Sequence, residues 1–454
     1  MIAKLRAWAS VYRHPRVGAM LFLGFSAGLP FFLIVQTSTA WLRQAGIEKS
    51  TIGLITYVGL VYTMKFAWAP IVDRAPLPGL TRWLGRRRSW MLLAQIALAV
   101  ALAVLARSDP AVSLMPMVWM LLAVAFAGAT QDIVIDAWRI EAAPVPMQGA
   151  MAASYQLGYR IATLANQALA LYLAGEFGWN VSYSVMALLM GVGMLTTLVI
   201  PEPEVQVSSD TQKREQRVID WLEDKAHWPA PLRRVGGHFI GAVVCPFADF
   251  FQRNPVAVSL LILAFIGTFR MTDYTMGVMA NSFYLEMGYT LQQIGIAAKL
   301  FGLGGSVAGV LVGGIAVAML GVPRALMTGG ILVILTNLAF ATLAYLAEPT
   351  ALGLGLVVSA DNFAYQFAGT AFIAYMSGLT NTAYTATQYA LFSSMFALLP
   401  KLAMGGSGFV ADAVGWPLFF LYTSALGVPA LVFLVLLTRR LPAPTSPAAS
   451  PART

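Results

Sequence analysis

The sequence predicts an all-α membrane protein with twelve transmembrane helices arranged as two six-helix bundles. Three observations carry this. First, 58% of the 454 residues are hydrophobic and only 11% are charged, with a mean hydropathy of +0.72, whereas soluble domains carry about 25% charged residues. Second, apolar runs of about 20 residues recur, each long enough to cross a ~30 Å hydrocarbon core. The runs are continuous rather than alternating, which points to helices and not to a β-barrel. Third, the most polar stretch, 201–255, divides the runs six and six.

The spans fall near 17–40, 52–72, 89–106, 112–135, 149–173, 180–200, 256–281, 291–319, 323–346, 350–377, 386–411 and 417–438. Residues 1–200 then form the first bundle and 256–438 the second. Residues 201–255 form a cytoplasmic linker, and the Pro-, Ala- and Ser-rich segment 439–454 is a disordered cytoplasmic tail. The linker holds two amphipathic segments, 212–228 and 232–253, read as interfacial helices. With both termini cytoplasmic, 21 of the 29 Lys and Arg residues lie on the cytoplasmic side, three lie outside and five lie within spans, as the positive-inside rule requires. The +9 net charge is thereby accounted for, and no nucleic-acid partner is needed.

The halves repeat in parallel. Gly46, Ile52 and Gly53 fall on Gly288, Ile294 and Gly295 at an offset of 242, and Gly178 and Trp179 fall on Gly415 and Trp416 at an offset of 237. Parallel repeats place a ligand site near the midplane between the two halves.

An ionisable group at the centre of a span costs roughly 2.5–3.5 kcal/mol on insertion scales, so each one has to be explained. The cations are Lys65, Arg160, Arg270, Lys299 and Lys401, and the acids are Asp132, Asp136, Asp273 and Asp361. In the second span Lys65 follows Tyr62. In the fourth, GATQDIVIDAW places Gln131 beside Asp132, with Asp132 and Asp136 on one helical face. Two carboxylates so close favour one shared proton, which suits a proton carrier. The alternative is a latch to Arg74 or Arg139. In the fifth span Gln156, Arg160, Thr163 and Gln167 form one polar stripe, lining a cavity or holding helices together. In the seventh, Arg270, Asp273, Tyr274, Gly277 and Asn281 share a face, and the Arg–Asp pair is either self-neutralising or functional. Lys299 lies in the eighth span, Asp361, Asn362 and Gln366 in the tenth, and Gln388 and Lys401 in the eleventh. After the second span come Asp73–Arg74 and then Arg86, Arg87 and Arg88, either a cytoplasmic gate or simple topogenic charge.

Metal and catalytic chemistry find no support. The one cysteine, Cys245, rules out a disulfide framework and a Cys-rich metal site, and the three histidines lie in polar segments. No nucleophile motif is present. No cofactor is expected beyond a proton gradient.

Together, GFSAGLPFFL (24–33), KFAWAPIVDR (65–74), GRRRSW (85–90), QDIVIDAWR (131–139), LGYR (157–160), ATQYALFS (386–393) and VADAVGW (410–416) resemble the AmpG-type muropeptide permeases of the major facilitator superfamily. The resemblance runs from about residue 15 to residue 438. It implies a bacterial inner-membrane permease that imports N-acetylglucosaminyl-anhydromuramyl peptides with protons for peptidoglycan recycling, and so feeds β-lactamase induction. On that reading the substrate-binding candidates are Tyr62, Lys65, Gln131, Gln156, Arg160, Gln167, Asp273, Asn281, Lys299, Asn362, Gln366, Gln388 and Lys401. Asp132, Asp136 and Asp361 carry the proton. Asp73, Arg74, Arg86, Arg87 and Arg88 gate the cytoplasmic side. The partners implied are the muropeptide, protons and the bilayer, and the expected state is a monomer. Two alternatives stand beside this one: a same-fold carrier for another bulky anion such as acetyl-CoA, and a membrane-embedded transferase.

Overall fold

The computed structural model describes residues 10–144, 147–204, 244–297, 301–346, 350–404 and 406–440, with scattered positions between 216 and 237. Every regular element among them is helical. In order they are α1 (Pro15–Gln44), the interrupted helix α2 (Lys49–Ile55, Thr56–Tyr62, Lys65–Ala67 and Ala69–Arg74), and the short α3 (Leu80–Leu84). Next come α4 (Arg86–Leu105), α5 (Leu114–Ala142), α6 (Gln148–Leu164 continued by Ala165–Leu169 and Ala170–Phe177) and α7 (Trp179–Val199). After the linker come α8 (Cys245–Arg253), α9 (Val256–Glu286), α10 (Leu291–Ile296), α11 (Gly302–Leu320) and α12 (Val322–Tyr345). The last three are α13 (Ala351–Leu379), α14 (Thr385–Met404) and α15 (Ser407–Arg440).

Among the described residues, eight helices are long and apolar enough to cross a membrane: α1, α4, α5, α7, α9, α11, α12 and α15. The segments expected as the second, fifth, tenth and eleventh spans fall outside that set. Two 3-10 stretches interrupt α2. Helices α6, α13 and α14 carry polar side chains that reach the opposite half, among them Gln156, Thr370 and Lys401.

The sequence repeat is a repeated structural joint. Helix α1 ends in a Schellman motif, in which Ile47 N–H donates to Leu42 O at 3.0 Å, Gly46 N–H donates to Arg43 O at 3.2 Å, and Gly46 has φ 82°. Helix α9 ends identically, with Tyr289 N–H on Tyr284 O at 3.0 Å and Gly288 at φ 86°. The left-handed backbone admits glycine at low cost, which is why this residue type recurs. Trp179 and Trp416 complete the joint. Trp179 Nε1–H donates to Gln44 Oε1 at 2.8 Å and stacks on Trp41, while Trp416 Nε1–H donates to Glu286 Oε2 at 2.7 Å and meets Phe283 edge-on. Offsets of 242 and 237 thus describe one pairing of helix ends built twice.

Lipid tails are as apolar as leucine, so helices in a bilayer associate through close packing. Bulky side chains such as Leu29, Leu33, Leu98, Leu121 and Tyr183 fill the first half. Phe265, Phe269, Phe372 and Phe392 fill the second, with Phe269 and Phe372 stacked at 4.7 Å. Glycines permit the tightest approach. A Cβ at Gly158 would collide with the α1 backbone at Leu21.

Most of the two amphipathic linker segments lies outside the described residues. The part described, α8, is docked on the second half: Phe250 packs on Phe392, and Asp249 receives bonds from Gln388 and Asn381.

Candidate functional site

Polar contacts between the halves gather at the end that carries the basic loops. The Asp73 carboxylate closes α2 there. Its Oδ1 accepts from Arg87 Nη2 at 2.7 Å, and its Oδ2 accepts from the backbone N–H and hydroxyl of Thr387 at 3.3 and 3.1 Å. Thr387 is in the first turn of α14, so an anion from one half caps a helix of the other, where backbone donors and the helix dipole favour it. Arg87 also forks onto Glu141, with Nη2–Oε1 at 2.6 Å and Nε–Oε2 at 3.0 Å. Glu202 caps α4 through the N–H groups of Arg87 and Arg88 at 2.7 and 3.0 Å, and Arg88 is spent on the carbonyls of Thr197 and Leu198. Arg86 stands near Asp73, Glu141 and Glu202, and Arg74 is half-buried beside the same loop. Burial pushes the Asp73 carboxyl up, but Arg87 and Arg86 beside it outweigh burial and hold it below the ordinary carboxylate value.

Nearer mid-depth, Arg139 ties α5 to the second half. Its Nη1 donates to Ser377 Oγ at 2.7 Å, its guanidinium lies over the Tyr389 ring at 5.2 Å, and its Nη2 is 3.3 Å from Asp136 Oδ1. Asp136 faces Lys65 Nζ at 3.8 Å on its other side. One turn deeper, Asp132 is half-buried, and its Oδ1 is buried with no hydrogen-bond partner among the described residues. Lys65 and Asp136 are the charges around it, and Tyr62, Tyr155 and Tyr159 face it. Tyr62 leaves its own buried hydroxyl without a hydrogen bond.

Arg160 is half-buried and makes no ion pair or hydrogen bond with any described residue; Tyr159 is its neighbour. Gln156, one turn away, donates to Thr370 of α13 at 2.5 Å. Lys401 reaches back from α14 to Thr63 Oγ1 at 3.2 Å and meets no carboxylate among the described residues. In the second half Arg270 is consumed locally. It bonds Asp273 at 2.7 Å and the Tyr365 carbonyl at 3.0 Å, and lies 3.8 Å above the Tyr365 ring. Asp361 accepts a single long bond, 3.3 Å, from Thr336.

Several candidates sit elsewhere than beside these groups. Gln131 is buried and engaged with α1, accepting from Ser26 Oγ at 2.8 Å and donating to Ser26 O at 3.0 Å. Gln388 is placed with α8, donating to Asp249 at 2.8 Å and accepting from Arg253 at 3.0 Å. Asn362 bonds Ser306 and the Val358 carbonyl. Gln366 is buried and Asn281 is exposed. Lys299 and the Gln167 side chain lie outside the described residues.

The sequence reading missed Glu141, Glu202 and Thr387 as partners of the basic loop. It also missed Tyr155 and Tyr159 beside Asp132, while Tyr274, read on the polar face of the seventh span, meets Tyr159. Tyr155 and Tyr159 had a readable signal, since they and Arg160 lie within one and a half turns of α6. The carboxylates had none, because their partners lie 54 and more residues away.

The family model for the Major Facilitator Superfamily matches residues 19–404. A putative transporter AmpG 4 of Rickettsia felis is 32% identical over 437 residues, covering 95% of this chain and 98% of that protein. The anhydromuropeptide permease of Escherichia coli K12 is 33% identical over 427 residues, covering 94% of this chain and 80% of that one. The solved structure of the facilitator FucP in its outward conformation superposes with a TM-score of 0.67 at 12% identity, over 94% of this chain and 99% of that one, a likeness of fold alone. The chain is therefore a multi-pass inner-membrane transporter that belongs to the Major Facilitator Superfamily and, within it, to the AmpG-type permeases.

Proposed function

We propose that this protein imports anhydro-muropeptides across the bacterial inner membrane together with protons, as a twelve-span monomer with both termini and the basic end in the cytoplasm. One observation carries the reading. Arg160 from the first half and Lys401 from the second stand without a carboxylate partner among the described residues, and Arg160 adjoins the half-buried Tyr159, Tyr274 and Tyr365. A cation in the membrane that the protein leaves unpaired needs water or an anion, and peptide carboxylates supply the anion. Tyrosine faces and hydroxyls suit the two sugar rings of the same ligand. Asp132 is the chosen proton carrier, because its unsatisfied oxygen gains a role when protonated. Asp361 is a secondary carrier. No cofactor is required beyond the proton gradient.

The test is uptake of labelled anhydro-muropeptide into proteoliposomes with and without an inward proton gradient. Accumulation that needs the gradient supports the proposal. Uptake with no gradient dependence overturns proton coupling, and uptake of acetyl-CoA in its place overturns the ligand.

A further inference from the structure

One cation, Lys65, lies near two carboxylates of the first half, Asp132 and Asp136. Lys65 Nζ is 3.8 Å from Asp136 Oδ2, longer than a hydrogen bond, and it makes no hydrogen bond with any described residue. Asp132, one turn along α5 on the same face, is the other carboxylate beside it, with Oδ1 unpartnered. The remaining titratable groups around this trio are Tyr62 from α2, Tyr155 and Tyr159 from α6, Tyr389 from α14, and Arg139 beyond Asp136. Arg139 in turn divides itself between Asp136 and, across the halves, Ser377 and the Tyr389 ring.

We propose that Lys65 is a movable counter-ion that links the charge on Asp132 to the closure between Arg139 and Ser377. With Asp132 neutral, Lys65 stays at Asp136, shares that carboxylate, and leaves Arg139 on Ser377. With Asp132 ionised, its own uncompensated charge draws Lys65 away. Asp136 then takes Arg139 to itself and the bond across the halves weakens. Only a proton moves on or off Asp132; no other bond is made or broken covalently.

The consequence is a rule against leakage. A carrier that holds a proton without substrate keeps its basic end closed. An empty, ionised carrier is free to return. A loaded carrier opens when the substrate's own carboxylate competes for Lys65. Lys65 is thus a positioning residue for coupling, and this inference rests on the proton-coupled reading above.

The test uses the full chain in nanodiscs, in a Cys245→Ser background, with spin labels at two exposed positions of the basic end, Arg82 and Thr382. Dipolar spectroscopy without substrate reports the closed fraction at pH 5.5 and 8.5. The expected result is at least a twofold fall in the closed fraction at the higher pH. Asp132→Asn should fix it at the low-pH value, and Lys65→Gln should remove the pH response. A response that survives Lys65→Gln, or that survives Asp132→Asn, overturns the proposal. Gradient-driven uptake by the parent is measured in parallel. Gradient-independent uptake sinks the coupling reading itself, whereas gradient-driven uptake with a pH-independent closed fraction sinks only the role of Lys65.

Discussion

The basic end and the mid-depth region are both rich in buried charge, yet they are built on opposite rules. At the basic end most charges find a complement, although Arg86 Nε and Arg87 Nη1 are buried without a hydrogen-bond partner among the described residues. Arg87 meets two carboxylates, Asp73 is shared between Arg87 and the first turn of α14, Glu202 caps α4, and Arg88 fills two carbonyls. At mid-depth the complements run short. Arg160 has no acceptor among the described residues, Lys401 has one hydroxyl, and Asp132 keeps a buried oxygen unpaired. A densely paired network is a closure, which costs energy to open. An unsaturated one stores demand for whatever passes through, a proton or an anion.

The largest break in this comparison comes from Arg87→Met. Removing one partner of a buried ion pair costs about 3–5 kcal/mol, since Asp73 and Glu141 would both lose their ion pair. Thermal unfolding in detergent should fall clearly below the parent. Arg160→Gln should stay within about 0.5 kcal/mol of it, and an equal loss in both variants would erase the distinction between the two regions.

Next in size is Asp132→Asn, which should abolish accumulation against a gradient while ligand binding, followed by calorimetry, persists. Normal accumulation by this variant would move the proton to Asp361 or Asp136.

Arg160→Gln should weaken ligand affinity by roughly 10- to 100-fold, the value of a charged hydrogen bond of about 1.5–3 kcal/mol. The loss should shrink for a ligand stripped of its peptide carboxylates. Equal loss for both ligands would make Arg160 a packing residue.

The smallest effect sharpens the comparison through pH. The Asp73 carboxyl is held below its ordinary value of about 3.9. A depressed carboxyl contributes in full above the unfolded value, and the contribution is lost only as pH falls through the lower folded value. The factor by which Asp73→Asn lowers the closed-to-open ratio, relative to the parent at the same pH, should therefore be the same at pH 5.5 and 7.5. A penalty that changes in that window would place a titrating group at the basic end.

The helical membrane fold was legible in the chain, because span length and apolar continuity are local properties set by bilayer thickness. The repeated joint was legible too, because a left-handed turn selects glycine and so marks Gly46, Gly178, Gly288 and Gly415 in the sequence itself. The shared face of Asp132 and Asp136 followed from helical spacing alone. What each polar side chain does with its hydrogen bonds was decided by the tertiary structure. Gln131 and Gln388 look as available in sequence as Gln156, yet Ser26 occupies the first and Asp249 and Arg253 the second, while Gln156 reaches the other half. Asp73 read as a gate residue but not as the cap of a helix whose Thr387 lies 314 residues away from it along the chain. Periodicity reports which face of a helix a residue occupies. It carries no information on which helix that face meets, and in a low-dielectric interior that neighbour decides whether a buried charge is a lock or a binding site.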